Sequence, residues 1–152
     1  MSVKPTVVFD TQMLLRATIN RKSLPARLFF DLHLAYHLAA SAQIIAEARD
    51  VLNRPGLRAK FSTLTDDTVS NTLNLLVNAR QVILTEIAAI SRDPKDDIFL
   101  ATALEAQAHY LNTEDNDLLV LDPYQGIRVI DALDFLRVLQ ESQAKDNPPS
   151  SA

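Results

Sequence analysis

Apolar and polar positions along the chain switch repeatedly between a two-residue and a 3.6-residue period. Val7-Val8-Phe9 is a short β-branched and aromatic run, and a helical pattern follows from Thr11 through Ile19. Pro25 stands near a further helix start, with apolar Leu28, Phe29, Leu32, Ala35 and Tyr36 behind it. Ser41 is a candidate N-cap for a helix running to about Asn53, ended by the turn Arg54-Pro55-Gly56. Thr65, with Asp66 and Asp67 in the first turn, opens another helix whose Val69, Leu73, Leu76 and Val77 follow i, i+4, i+7, i+8 spacing. The runs QVIL (81–84), HYLN (109–112) and IRVI (127–130) are strand-like, and Asp131 caps a last helix through about Leu139. The tail ESQAKDNPPSSA is polar and carries two prolines, a composition that does not pack.

Strands alternating with helices predict an α/β fold, with a mainly parallel sheet covered on both faces. No internal repeat or interdomain linker interrupts the pattern. The expected organisation is a single domain over 1–140 followed by a disordered tail over 141–152. In open sheets of this kind the ligand crevice lies beyond the carboxyl ends of the strands. Asp10 directly follows the first strand-like run, and Asp115 follows HYLN by a short turn, so both should open onto the same sheet edge.

Composition narrows the partners. A chain of 152 residues, 47% hydrophobic and 22% charged, suits one globular domain with a real core. There is no apolar run long enough to span a bilayer, and the start MSVKPTVVFD lacks the apolar stretch of a signal peptide. The absence of cysteine rules out disulfides and thiolate metal sites and suits a reducing cytoplasm. A net charge of -4 argues against coating nucleic acid through bulk positive charge, so any such contact must be local or mediated by cations.

The segment SRDPKDDIFLATALEAQAHYLNTEDNDLL, residues 91–119, crowds acids at both ends of an apolar helix and strand. Asp93-Pro94 fits an N-cap followed by proline at the first helical position, and Asp96 then sits in the first turn, favouring the helix dipole. Asp97 instead shares a face with Leu100, Ala101, Leu104 and Ala108, the face that must be buried. A lone carboxylate pointed toward the sheet costs roughly several kcal/mol in desolvation unless something compensates it. A dipole-stabilising first-turn acid is the alternative for Asp97. Glu47 borders the arc of Ile44, Ala48, Val51 and Leu52, and no cation stands three or four residues away to pair with it. Its alternative is a solvated helix acid.

Asp10, Glu47, Asp97 and Asp115 come from separate segments and can converge at one crevice. Carboxylates gathered there either raise one another's pKa values or admit cations. Oxygen ligands without cysteine, and without histidine nearby in sequence, select Mg2+ or Mn2+. Such ions serve chemistry on phosphates, and two of them about 3.5–4 Å apart can stabilise both oxygens of an in-line displacement. The reaction class that follows is phosphodiester hydrolysis.

The same stretches carry a resemblance. PTVVFDTQMLL, SAQIIAEARDVLNRPGLRAKF, ISRDPKDDIFLATALEAQAHYLNTEDNDLL and YQGIRVIDALDFL, in this order, resemble the PIN-domain family over about Pro5 to Leu139. The similarity is greatest to its VapC-like branch of toxin ribonucleases from toxin–antitoxin systems. The resemblance implies a three-layer α/β/α sandwich with a parallel sheet, frequently dimeric. It implies catalytic acids at Asp10, Glu47, Asp97 and Asp115 that hold one or two Mg2+ or Mn2+ ions, with Asp117 as a secondary metal-binding acid. RNA would be the substrate and a protein antitoxin a partner covering the crevice. The chain departs from the family at Gln12, where relatives carry asparagine, and at Glu114, where they tend to carry glycine.

Further candidates are weaker. Arg92 and Lys95, closest in sequence to Asp97, are the expected RNA-phosphate contacts among scattered cations that include Arg16, Arg49, Arg54, Arg58 and Lys60. His33 and His37 have helical i, i+4 spacing but no third ligand, which makes them a helix-surface pair. His109 reads as packed or capping, and Phe29, Phe30 and Tyr36 as core or a dimer face. Two other functions fit in part. One is a PIN-like module that binds RNA or protein without turnover. The other is a phosphoryl-accepting receiver, for which QVILTE and IRVIDA do not supply the acceptor aspartate and lysine convincingly.

Overall fold

The computed structural model describes residues 4–87 and 94–146. Five strands form one parallel sheet: β1 (Thr6–Phe9), β2 (His37–Ser41), β3 (Arg80–Val82), β4 (Tyr110–Asn112) and β5 (Arg128–Ile130), in the order β3-β2-β1-β4-β5. The chain builds outward from β1 through β2 to β3, then crosses back to lay β4 on the other side of β1. The order therefore reverses between β1 and β4, and that reversal opens a crevice at their carboxyl ends.

Alternation along β1 explains the layers. Val7 and Phe9 pack into one core with Met13 and Leu14 of α1 (Thr11–Ile19), Leu52 of α3 (Ala42–Leu52), Leu76 of α5 (Asp66–Val77) and Phe135 of α8 (Ala132–Asp146). Val8 faces the other way, into a core with Ala39, Leu111, Val129, Leu100 of α6 (Asp97–Glu105) and Leu118 of α7 (Asn116–Leu119). Helices thus cover both faces, the three-layer arrangement expected of such a sheet. Phe9 meets Phe29 edge-on at 5.5 Å between ring centroids and Phe135 at 5.9 Å, and Tyr36 lies 5.7 Å from Phe135. Phe29 and Tyr36 are therefore core residues.

Local chemistry sets the helix starts. Asp10, Ser41 and Thr65 cap α1, α3 and α5 through side-chain oxygens, and Thr65 with Thr68 forms a reciprocal capping box. Buried hydroxyl pairs tie the helices together: Ser41 to Thr102 at 2.8 Å and Thr18 to Thr72 at 2.7 Å. No helix among the described residues is long and apolar enough to cross a membrane.

Several sequence expectations shift. The sheet contains β2, which the apolar pattern after Pro25 had placed within a helical stretch. That stretch instead divides into α2 (Leu24–Ala26), a π-helical turn (Arg27–Asp31) and a 3-10 turn (His33–Ala35). His33 and His37 consequently do not share a helix surface, because His37 begins β2. Pro55 opens a short helix, α4 (Pro55–Lys60), where a turn was expected, since proline suits a first helical position. The last helix continues past Leu139 to Asp146, so residues 141–146 are helical.

Candidate metal centre

Asp10 leaves β1 with extended backbone and caps α1. One carboxylate oxygen accepts the Met13 N–H at 2.9 Å, and the other accepts the Thr113 hydroxyl. The residue is only 3% exposed. Burial pushes its pKa up to about 6, the nearby Asp115 and Glu114 charges add to the rise, and the bonds from Thr113 and Met13 oppose it.

Thr113 joins the two strand ends. Its hydroxyl donates to Asp10 and accepts the Asp115 N–H at 3.0 Å. Asp115 caps α7 by accepting the Asp117 N–H at 2.9 Å, which brings the carboxylates of Asp115 and Asp117 into one turn. Across from them, Asp96 ends a 3-10 turn (Pro94–Asp96) directly before α6. Asp96, Asp115 and Asp117 each present a carboxylate oxygen, and the three oxygens lie within 4.8 Å of one another. Glu47 approaches from α3. Asp10, Glu47, Asp96 and Asp115 line one cleft of about 150 Å3, together with Thr11, Gln12, Lys95 and Phe99.

The structure thus brings Asp10, Glu47 and Asp115 to one cleft, with Asp117 beside it. Asp97 is the first residue of α6 and 4% exposed, so it faces inward as the periodicity predicted, beside Asp96 and Phe99, which line the cleft. Asp96 ends the 3-10 turn and the α-helix begins at Asp97, so two carboxylates stand at this helix entry.

The donor set suits a divalent cation. Its ligand atoms are all oxygen, and a separation of 4.8 Å is within the span of two metal–oxygen bonds of about 2.1–2.6 Å each. None of the ion pairs among the described residues takes up Asp10, Glu47 or Asp115; Arg54 pairs with Asp50 and Arg58 with Asp66 instead. Thr11, buried in the cleft wall, has a hydroxyl without a hydrogen-bond partner among the described residues. The sequence assigned Asp96 only a helix-dipole role, although the Asp96-Asp97 pair was an available signal, and nothing in the pattern singled out Thr11 or Thr113.

Of the expected RNA contacts, Lys95 lies in the cleft lining, and Arg92 falls outside the described residues. Gln12 is exposed at the cleft. Glu114 accepts the Ala132 N–H at 3.2 Å and so ties the acidic loop to the start of α8. Its backbone is not among the positive-φ positions, which explains why glycine is not required there. His109 accepts the Thr6 N–H through Nδ1 at 3.0 Å, a structural bond at the opposite sheet edge.

A parallel sheet with carboxylates gathered at its reversal point is an α/β fold with an acidic crevice. The chain belongs to the PIN-domain family, whose model matches residues 6–117. Among solved structures it is similar to the crystal structure of PAE2754 from Pyrobaculum aerophilum, at 16% identity and a TM-score of 0.57, over 91% of each chain. That likeness is one of fold. No curated protein matches the chain.

Proposed function

We propose that the protein is a metal-dependent endoribonuclease that hydrolyses RNA phosphodiester bonds. The observation that carries this reading is the close triplet of Asp96, Asp115 and Asp117 beside a cleft also lined by Asp10 and Glu47. Asp10, Glu47, Asp96, Asp97 and Asp115 would hold one or two Mg2+ or Mn2+ ions, with Asp117 as a further ligand. Such an ion supplies charge neutralisation at the scissile phosphate and activation of the attacking water.

The protein's own groups position these parts. Thr113 fixes the Asp10 carboxylate and the Asp115 backbone in one relation, so the two strand ends cannot drift apart. Glu47 accepts a hydrogen bond from the attacking water, and Lys95 engages a backbone phosphate at the cleft mouth. Gln12 offers an amide to the ribose or phosphate. The membership of the PIN family supports RNA as substrate. The resemblance of the sequence to the toxin branch carries the more specific reading of a cytoplasmic toxin that acts as a homodimer and is held inactive by a protein antitoxin over the cleft.

Incubation with mixed RNA in Mn2+ tests the proposal. Cleavage should stop with EDTA and in Asp96→Asn; cleavage that persists under either condition refutes the metal mechanism. Gln12 at the cleft keeps a second reading in view, a module that binds RNA or a protein partner without turnover. RNA retention with intact strands in Mn2+ marks that outcome.

A further inference from the structure

Two adjoining cavities lie away from the acids, beside α5 and the amino-terminal edge of the sheet. The first, about 410 Å3, is lined by Arg21, Phe30, Asn71, Asn74, Leu75 and Asn78, among others. The second, about 430 Å3, includes His33, His37 and Arg80, and shares Leu75 and Asn78 with the first. Both volumes fall in the range of roughly 300–1,000 Å3 common to small-molecule sites. Thr6 of β1 lines the second cavity, whereas Asp10 follows the other end of that strand. The length of β1 places the two sites about 13 Å apart at ~3.3 Å per residue.

The chemistry of this groove is opposite to that of the cleft. No carboxylate lines either cavity among the described residues, although the chain carries a net charge of -4. The second cavity presents two imidazoles and a guanidinium. Arg80 is held by donation to the Ala106 carbonyl at 3.2 Å, and His33 by donation from Nδ1 to the Phe30 carbonyl at 2.7 Å. In the first cavity the Arg21 guanidinium sits 4.0 Å from the Phe30 ring centroid, with Asp31 at 3.5 Å as its ion-pair partner. Asn71, Asn74 and Asn78 follow one another at i, i+3 and i+7. Asn78 is the C-cap of α5 and donates its carboxamide to the Asn74 carbonyl at 2.9 Å, whereas Asn71 and Asn74 stand exposed within the helix, where asparagine is a weak former. The side chains of Asn71 and Asn74 make no hydrogen bond among the described residues.

We propose that this groove binds a nucleoside monophosphate. The base lies in the first cavity, on the outer face of the Arg21 guanidinium that itself stacks on Phe30, with its edge met by the carboxamides of Asn71 and Asn74. The phosphate lies in the second, facing His33, His37 and Arg80. Bases stack on guanidinium planes, carboxamides offer donor and acceptor together, and a guanidinium with neighbouring imidazole N–H donors binds phosphate. The inference draws on neither the acidic cleft nor the activity proposed for it.

Titration of the full chain with AMP, adenosine and inorganic phosphate, in EDTA so that no ion bridges phosphate to the acids, tests the site. AMP should bind more tightly than either fragment and shift the ring resonances of both His33 and His37. Arg80→Gln should weaken AMP about tenfold, the loss expected for one charge-assisted contact, and leave adenosine within about twofold. Asn74→Ala should weaken AMP and adenosine alike. The absence of a saturable shift of His33 and His37 up to about 10 mM AMP overturns the proposal, a limit set by the weakest affinities of specific small ligands. So does AMP binding that Arg80→Gln leaves unchanged.

Discussion

Asp96 and Asp97 are chemically identical neighbours placed in different surroundings. Asp96 lines the cleft, and Asp97 is buried at the head of α6. Asp96→Asn and Asp97→Asn should each weaken Mn2+ binding by at least about tenfold, because both carboxylates stand at the head of α6 beside the cleft. Isothermal titration on the two variants measures each loss, and a variant that binds Mn2+ like the parent removes that residue from the ligand set. Asp10 adds a pH signature. Below the ordinary value of 3.8 its carboxyl is protonated in the folded and unfolded chains alike. As pH rises through about 6 the unfolded chain ionises first, and the metal-free protein loses stability on the order of 3 kcal/mol from this group. Asp10→Asn keeps an acceptor for the Met13 N–H and removes the titration. In EDTA, the variant's urea stability should gain on the parent's across that interval and stay level above it; a difference independent of pH would sink the argument.

Among the elements, helix caps were readable because their chemistry is local. Ser41 was identifiable from its place ahead of an apolar arc, and it caps α3 as expected. Its hydroxyl also bonds Thr102 of α6, a partner that no local pattern discloses. Ser41→Ala should cost about 1–2 kcal/mol in denaturant unfolding, combining a lost cap with the lost bond to Thr102, whose hydroxyl still donates to the Ile98 carbonyl at 2.7 Å. β2 was not readable. Its Ala39 and Ala40 are buried on opposite faces of the sheet, so the strand shows neither alternation nor β-branched residues.

For the molecule as a whole, parallel α/β architecture and the opening of Asp10 and Asp115 onto one edge followed from element order alone. The reversal between β1 and β4 depends on long-range pairing, and with it the approach of Glu47 and Asp96 from other segments. The aromatic cluster that anchors β1 under the site is equally non-local: Phe135 touches Phe9, Tyr36 and Tyr110. Phe135→Ala should destabilise the protein by about 3–5 kcal/mol, read as a lower denaturant midpoint. The central claim, that acids assembled at the reversal point hold a divalent ion, is tested most directly by anomalous diffraction from crystals soaked in Mn2+. The account predicts a peak within about 2.0–2.6 Å of carboxylate oxygens of Asp96 and Asp115. A map in which manganese binds only elsewhere, with nothing between those side chains, would contradict it.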